Sequence, residues 1–407
     1  MDIGFGEALV VVGALLAIAA GLSGLMHGTV LSISVLAVAA GFALAATDVV
    51  AVRPGDEALI YVIELALILT LFSDGLLVER ELLRMHWGPP ARAIAIAMPI
   101  TLVLLALGAK ALFSELTWAE AFLLGAVLSP TDPVVTSALV TARRVPERVR
   151  HTLNLESGLN DGLALPFVLF FLILASPAGD APAEGLQLLG EAVAGALIGV
   201  ALGLAAGRLV PHLPGGGITR RYEGLYALGL GLFAYGIADV TIANGFIAAF
   251  VCGVALARAE HEIPEAFRET SESVSSIFQI VTFFVFGALV VATGYAGNVA
   301  ALLAFVVFAL VVARPLAIRL SFLRSRLAPG ERLFIAWFGP KGVASMLFAL
   351  FVLNSAVGER SVVFEVASFV ILASILAHGF TDTLGASWID RRLEGGEAEG
   401  PDRSAVG

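Results

Sequence analysis

Two stretches whose surroundings call for unbroken membrane helix carry acid instead. Ser129-Pro130-Thr131-Asp132-Pro133 lies inside one apolar run, and Glu156-Ser157-Gly158-Leu159-Asn160-Asp161 inside the next. A charged side chain near the bilayer centre costs roughly 2.5–3.5 kcal/mol on insertion scales, so such residues face partners or water rather than lipid. Two prolines around a Thr-Asp pair remove backbone N–H donors and clash with the preceding turn, which leaves carbonyl oxygens without helical partners at membrane depth. Carboxylate, hydroxyl and carbonyl oxygens are hard donors; they suit Na⁺, Li⁺ or K⁺ and do not demand a transition metal. A carboxylate in a dehydrated place is stable as the neutral acid or as the ion with a cation beside it, so proton and cation compete for Asp161. Its neighbour is the neutral Asn160 rather than a second acid, which leaves one titrating charge and points to electroneutral 1:1 exchange.

The elements that must hold these residues follow from composition. With 58% hydrophobic and 14% charged residues over 407 positions, and a mean hydropathy of +0.93, the chain is too apolar for a soluble domain and too long for a single anchor. It reads as an all-α polytopic membrane protein. Windows of about 20 residues give about 13 spans, among them Trp118–Val140, Thr152–Ala175 and Leu333–Leu353. Most of the 24 Lys+Arg fall in loops after odd-numbered spans and in the C-terminal tail, whereas the other side holds only Arg53, Lys110 and Arg360. The positive-inside rule then puts the N-terminus outside and the C-terminus in the cytoplasm. Met1-Asp2-Ile3 supplies no basic start for a cleaved signal peptide, so the first run is expected to stay as a span. The net charge of −10 excludes a basic stripe for nucleic acid.

The fifth span is interrupted by Ser129 to Pro133 and the twelfth by Gly339-Pro340-Lys341-Gly342. The two run in opposite directions at matching places in two three-span groups, the pattern of an inverted repeat with the transported ion at its interface. At 1.5 Å per residue, Asp161, Thr131 and Lys341 fall roughly 12–20 Å into their spans, near the midplane of a ~30 Å core, while Glu156 and Arg314 lie roughly 6–9 Å from the inner face. The first set can form one site and the second a salt bridge. Ser157 and Asp161 share a helical face, as do Glu156 and Asn160 on a neighbouring one.

At these residues the chain resembles the NhaP/NHE-type Na⁺/H⁺ antiporters, the monovalent cation:proton antiporter 1 family. The resemblance covers nearly the whole length and rests on the two acidic stretches, Arg314-Pro315, Gly339-Pro340-Lys341-Gly342-Val343 and Asn244-Gly245-Phe246-Ile247-Ala248-Ala249-Phe250, in their expected order. It implies an NhaA/NhaP-like fold with two broken crossing helices, a homodimer in the inner (plasma) membrane, and exchange of a monovalent cation for protons by alternating access. It implies a single transporter domain over 1–390, with a transport core over about 91–176 and 299–385 and a dimerisation part in the other spans; the polar, Gly-rich composition of 391–407 reads as a disordered tail. Carried over to this chain, Asp161 binds cation or proton beside Asn160, Ser157 and Thr131 add cation ligands, Asp132 lies at the crossing, and Asp74 falls where relatives often hold an acid. Glu156 pairs with Arg314. Position 341, often Arg in relatives, is Lys here. No cofactor is implied.

Each assignment has a plainer rival. Asp132 can cap the half-helix that follows Pro130, and Lys341 can neutralise carbonyl ends at the second break. Glu64 reads as a packing or dimer residue, Cys252 as a small buried residue, and His27 and His378 as lone histidines held by packing or a hydrogen bond. Two other function classes remain. One is a channel or uniporter on the same scaffold, which would pass net current. The other is a rhomboid-like serine protease built on Gly21-Leu22-Ser23-Gly24 with His378 as base, which leaves both broken spans and the midplane acids without a role.

Overall fold

The computed structural model describes residues 5–26, 33–53, 55–77, 88–132, 145–176, 181–209, 218–259, 265–295, 297–325 and 327–398. Pro133, the rest of the fifth expected span, His27 and residues 399–407 lie outside them.

Every regular element among the described residues is helical. In chain order these are α1 (Phe5–Met26), α2 (Ile33–Ala46), α3 (Glu57–Leu77), α4 (Gly88–Leu112), α5 (Trp118–Val127), α6 (Glu147–Ala175), α7 (Ala181–Leu209), α8 (Arg220–Asp239), α9 (Gly245–Ala259), α10 (Glu265–Thr293), α11 (Val299–Ser321), α12 (Pro329–Trp337), α13 (Val343–Leu353) and α14 (Arg360–Ala398). Helices α3, α4, α6, α7, α10, α11 and α14 contain stretches long and apolar enough to cross a membrane. The chain is a multi-pass membrane protein. Leu186, Leu189, Val193 and Leu197 recur on the exposed side of α7, as lipid-facing residues do when no water must be excluded.

Local chemistry sets several of these boundaries. A wide π-turn precedes a proline in both α4 and α11, at Ala93–Ala97 before Pro99 and at Phe308–Ala313 before Pro315. Proline lacks the N–H and crowds the carbonyl one turn back, so the widened turn absorbs the mismatch without ending the helix. In α11 that turn ends next to Arg314, which enters the core as the first residue of the following segment. Helix α6 begins after Pro146, at Glu147 rather than at Thr152, because Pro146 delivers the chain in an extended conformation and the charged turn Glu147 to Arg150 is already helical. Helix α14 runs past Asp390, where the polar tail was expected to begin, through Ala398. Its residues 391 to 398 contain no proline, and the two glycines among them lower helix propensity without ending the helix.

The α3–α9 crossing brings Asp74 inward. A Cβ at Gly75 would collide with the backbone of Phe250, and one at Gly253 with that of Phe72. Small residues at both positions let the two backbones touch. The ring of Phe250 in turn fills the space against Gly162, the residue after Asp161. The motif from Asn244 to Phe250 thus packs against the acidic turn of α6, with the Asn244 carboxamide accepting from the Ile247 N–H at 3.0 Å to start α9.

Candidate functional site

The helical path of α5 stops at Leu128, and that of α12 at Phe338 before α13 resumes at Val343. The two open segments meet. The Asp132 N–H donates to the Pro340 carbonyl at 2.9 Å, and the Val343 N–H donates to Asp132 Oδ2 at 2.9 Å. Lys341 Nζ donates to the carbonyls of Pro130 at 3.1 Å and Ser129 at 3.5 Å. Each segment therefore supplies the charge that the other's helix end lacks: an anion at the start of α13 and a cation at the end of α5. One expectation changes here: Lys341 serves carbonyls of the first break rather than the second. Asp132 caps α13, while the helix expected after Pro130 lies outside the described residues. Depth along one helix cannot reveal such a swap, because both partners sit at the same level. Gly342 makes it possible, since a Cβ there would overlap the Asp132 carboxylate.

Helix α6 lays its acidic turn against this crossing. Asn160 Nδ2 donates to Thr131 Oγ1 at 2.7 Å and to the Thr131 carbonyl at 3.2 Å, so Asn160 ties the first break to α6. Asp161 and Ser157 are buried on the adjacent face. From α3, the carboxyl of Asp74 shares a hydrogen bond with that of Asp161, and both lie within the field of Asp132. Asp161 Oδ1, Asp74 Oδ2 and Asn160 Oδ1 are buried without a hydrogen-bond partner. Buried oxygens in that condition are the exception in proteins and ask for an explanation.

A second cluster stands apart. Arg314 Nη1 and Nη2 donate to Glu156 Oε1 and Oε2 at 2.6 and 3.1 Å, and Nη2 also reaches the Ile335 carbonyl at 3.2 Å. The guanidinium occupies the space that a Cβ at Gly339 would fill. The structure thus joins Thr131, Asp132, Asn160 and Lys341 at the crossing, adds Asp161 with Asp74, and pairs Glu156 with Arg314 separately.

The profile of a family described as "Sodium/hydrogen exchanger, transmembrane" matches residues 11–384. The chain belongs to this family. Among curated exchanger relatives, the K(+)/H(+) antiporter NhaP of Alkalimonas amylolytica is 28% identical over 84% of this chain and 59% of its own. The K(+)/H(+) antiporter NhaP2 of Shewanella sp. (strain MR-4) is 28% identical over 79% and 56%. The probable Na(+)/H(+) antiporter C3A11.09 of Schizosaccharomyces pombe is 26% identical over 77% and 46%. The chain thus spans about half the length of the curated relatives it matches. Two structures of the sodium proton antiporter MjNhaP1 from Methanocaldococcus jannaschii share the fold, with TM-scores of 0.76 and 0.79 at 20% and 19% identity; they cover 96% and 98% of this chain and all of theirs.

Several polar residues of this exchanger-family chain gave no sign in the sequence. Thr70 Oγ1 and Ser345 Oγ are buried and unpartnered. Thr70 lies one turn before Asp74, and Ser345 follows Gly342 by three, the spacing of a shared helical face. That spacing from a motif residue was the available signal. His378 is engaged at both ring nitrogens: Nε2 faces the Trp337 carbonyl at 2.7 Å, and Nδ1 faces the Ser374 carbonyl at 2.7 Å and its hydroxyl at 3.2 Å. The protease reading loses its base, because that imidazole is committed within α14 and the second break.

Proposed function

We propose that the chain exchanges a monovalent cation for a proton, one for one and without net charge, by alternating access at Asp161. The observation that carries the reading is the Asp74–Asp161 carboxyl pair, buried with an unpartnered oxygen on each side chain. Two carboxylates at hydrogen-bond distance are not both ionised unless something positive lies between them. A proton satisfies that condition. So does a small cation, with Asp161, Ser157 and Thr131 as its ligands and Asp74 and Asn160 beside it. With a proton shared, the pair carries one negative charge; with a monovalent cation between two carboxylates it carries the same. Either occupant lets the site cross, whereas the empty, doubly charged pair is disfavoured in an apolar surrounding. Exchange is then obligatory and neutral. Glu156–Arg314 serves as scaffold, and Asp132 and Lys341 hold the crossing.

The same reading extends to architecture. Thirteen spans with inverted repeats, two broken crossing helices, a transport core over about 91–176 and 299–385, and a dimerising remainder fit the places where α5 and α12 stop. The chain acts as a homodimer in the inner (plasma) membrane, N-terminus outside and C-terminus cytoplasmic.

Relatives named for K⁺ and for Na⁺ both match, so the cation is the quantity to measure. Purified protein in liposomes carrying a pH gradient, titrated with Na⁺, Li⁺ and K⁺, is expected to dissipate the gradient with saturable dependence on at least one of them. Absence of cation-driven proton flux with all three would overturn the reading. Cation flux carrying net current would replace it with a channel or uniporter.

A further inference from the structure

One face of α14 grips the second break at three successive positions. Ser374, His378 and Thr381 are spaced four and three apart and so line up on one side of the helix. Ser374 Oγ accepts from the Lys341 N–H at 2.9 Å. His378 Nε2 meets the Trp337 carbonyl at 2.7 Å. Thr381 Oγ1 accepts from the Trp337 indole N–H at 2.9 Å. The Trp337 and His378 rings also lie face to face at a tilt, with centroids 5.3 Å apart. Trp337 is the last residue of α12, and Lys341 sits just before α13. The stripe therefore holds both ends of the non-helical segment.

The chemistry of the ring makes His378 the centre of the stripe. A neutral imidazole has one N–H, whereas three oxygens stand around its two nitrogens. With the proton on Nε2, the ring donates to Trp337, and Nδ1 accepts from the Ser374 hydroxyl, whose oxygen in turn takes the Lys341 N–H. This yields one continuous chain from Lys341 to Trp337. In the imidazolium, Nε2 still donates to Trp337 while Nδ1 turns to the Ser374 carbonyl. The Trp337 bond survives in both. A polar group buried this deeply is kept in place by partners it cannot exchange for water. Helix α6 does the corresponding work for the first break, through Asn160 on Thr131.

We propose that His378, with Ser374 and Thr381 beside it, is a positioning residue for cation exchange: it fixes the segment 338–342 so that Lys341 and Gly342 meet the first break in the geometry that forms the cation site. The proposal rests on the exchange reading above for its kinetic consequences, while its structural half stands apart from transport.

The test uses the full chain and four proteins: wild type, His378→Ala, His378→Gln and His378→Asn. A glutamine amide reaches the place of Nε2, and an asparagine amide only that of Nδ1. Hydrogen exchange read by mass spectrometry on peptides spanning 338–342, with α13 as internal reference, is expected to rise for Ala and Asn and to stay near wild type for Gln. In liposomes the apparent KM for the transported cation is expected to rise about tenfold or more for Ala and Asn, since loosening the segment that positions a constellation misplaces its groups. Gln is expected to restore it, at equal amounts of folded dimer. The proposal is overturned if Ala leaves exchange protection unchanged, if Gln and Asn behave alike, or if protection falls while KM does not move. Should Ala fail to fold, the Gln–Asn comparison alone decides. A wild type inactive with every cation would sink the exchange reading, and the hydrogen-exchange arm would still judge the latch.

Discussion

Replacing Arg314 by methionine removes the cation but leaves Glu156 where it is, with side-chain exposure of only 3%. The carboxylate loses both charged hydrogen bonds, at 2.6 and 3.1 Å. Unit charges whose centres lie about 4 Å apart interact by about 4 kcal/mol at an effective dielectric of about 20, and stranding one member of a buried pair costs about 3–5 kcal/mol. Glu156→Gln is the milder lesion, because Arg314 Nη2 keeps the Ile335 carbonyl as a partner. The double variant Glu156→Leu with Arg314→Met removes both charges together and is expected to regain most of the lost stability, since apolar replacements of buried pairs are commonly neutral or better. The order of unfolding midpoints in detergent should be wild type and double variant highest, Glu156→Gln next, Arg314→Met lowest. A double-mutant cycle built with Glu156→Leu as the second single variant should return a coupling of about 3 kcal/mol. Liposome exchange should return with stability if the pair is scaffold. Strictly additive losses would refute the energetic argument, and a stable but inactive double variant would move the pair from scaffold into the transport cycle.

Asp161→Asn is expected to abolish cation-driven proton flux while the dimer still forms, and retained exchange would remove this residue from the mechanism. Asp74→Asn leaves one carboxylate for cation and proton alike, so apparent cation KM should rise by about tenfold or more with exchange still neutral; an unchanged KM would mean that Asp74 does not touch the site in the working cycle. Clamping a membrane potential with K⁺ and valinomycin should leave the rate of Na⁺-driven or Li⁺-driven exchange constant, whereas a rate that follows the potential would mean that a further group, Asp132 or Lys341, also titrates.

The sites most legible in the sequence were those that membranes make costly. Acids and prolines stand out within apolar runs because every exception carries an insertion cost, so both interrupted segments and the acidic turn of α6 could be found without coordinates. Depth along a helix also brought Glu156 level with Arg314, which the structure joins. What stayed hidden was lateral. That Lys341 would serve the carbonyls of Ser129 and Pro130, and Asp132 the start of α13, depends on how two segments cross. That Asp74 comes alongside Asp161 depends on how α3 packs, with Gly158 of α6 facing the Asp74 backbone and Gly75 and Gly253 letting α3 and α9 close on each other. Thr70 and Ser345 carried no signal beyond their spacing from Asp74 and Gly342, and Ser374 and Thr381 carried none, since a hydroxyl in a membrane helix is ordinarily satisfied by the carbonyl one turn back.

The two half-helices that enter the breaks share one more device, which hydropathy does not carry. Glu120 and Glu331 are each the third residue of their helix, and both are buried. Glu120 Oε2 accepts from the Thr117 N–H at 2.8 Å to close its own helix start, while Oε1 accepts from the N–H of Glu359, just before α14. Glu331 Oε2 accepts from the Ala328 N–H at 2.8 Å, while Oε1 takes the guanidinium of Arg148 at the start of α6. Each carboxylate thus spends one oxygen at home and the other at the start of a long helix, α14 for Glu120 and α6 for Glu331. A helix that stops short lacks the continuous hydrogen-bond ladder that would otherwise fix its outer end, and these clasps supply that anchor at the starts of α5 and α12. The breaks are held from within by α6 and α14 and from the ends by the two glutamates, so the crossing can carry unpartnered oxygens at Asp161 and Asp74 without the surrounding helices relaxing to satisfy them.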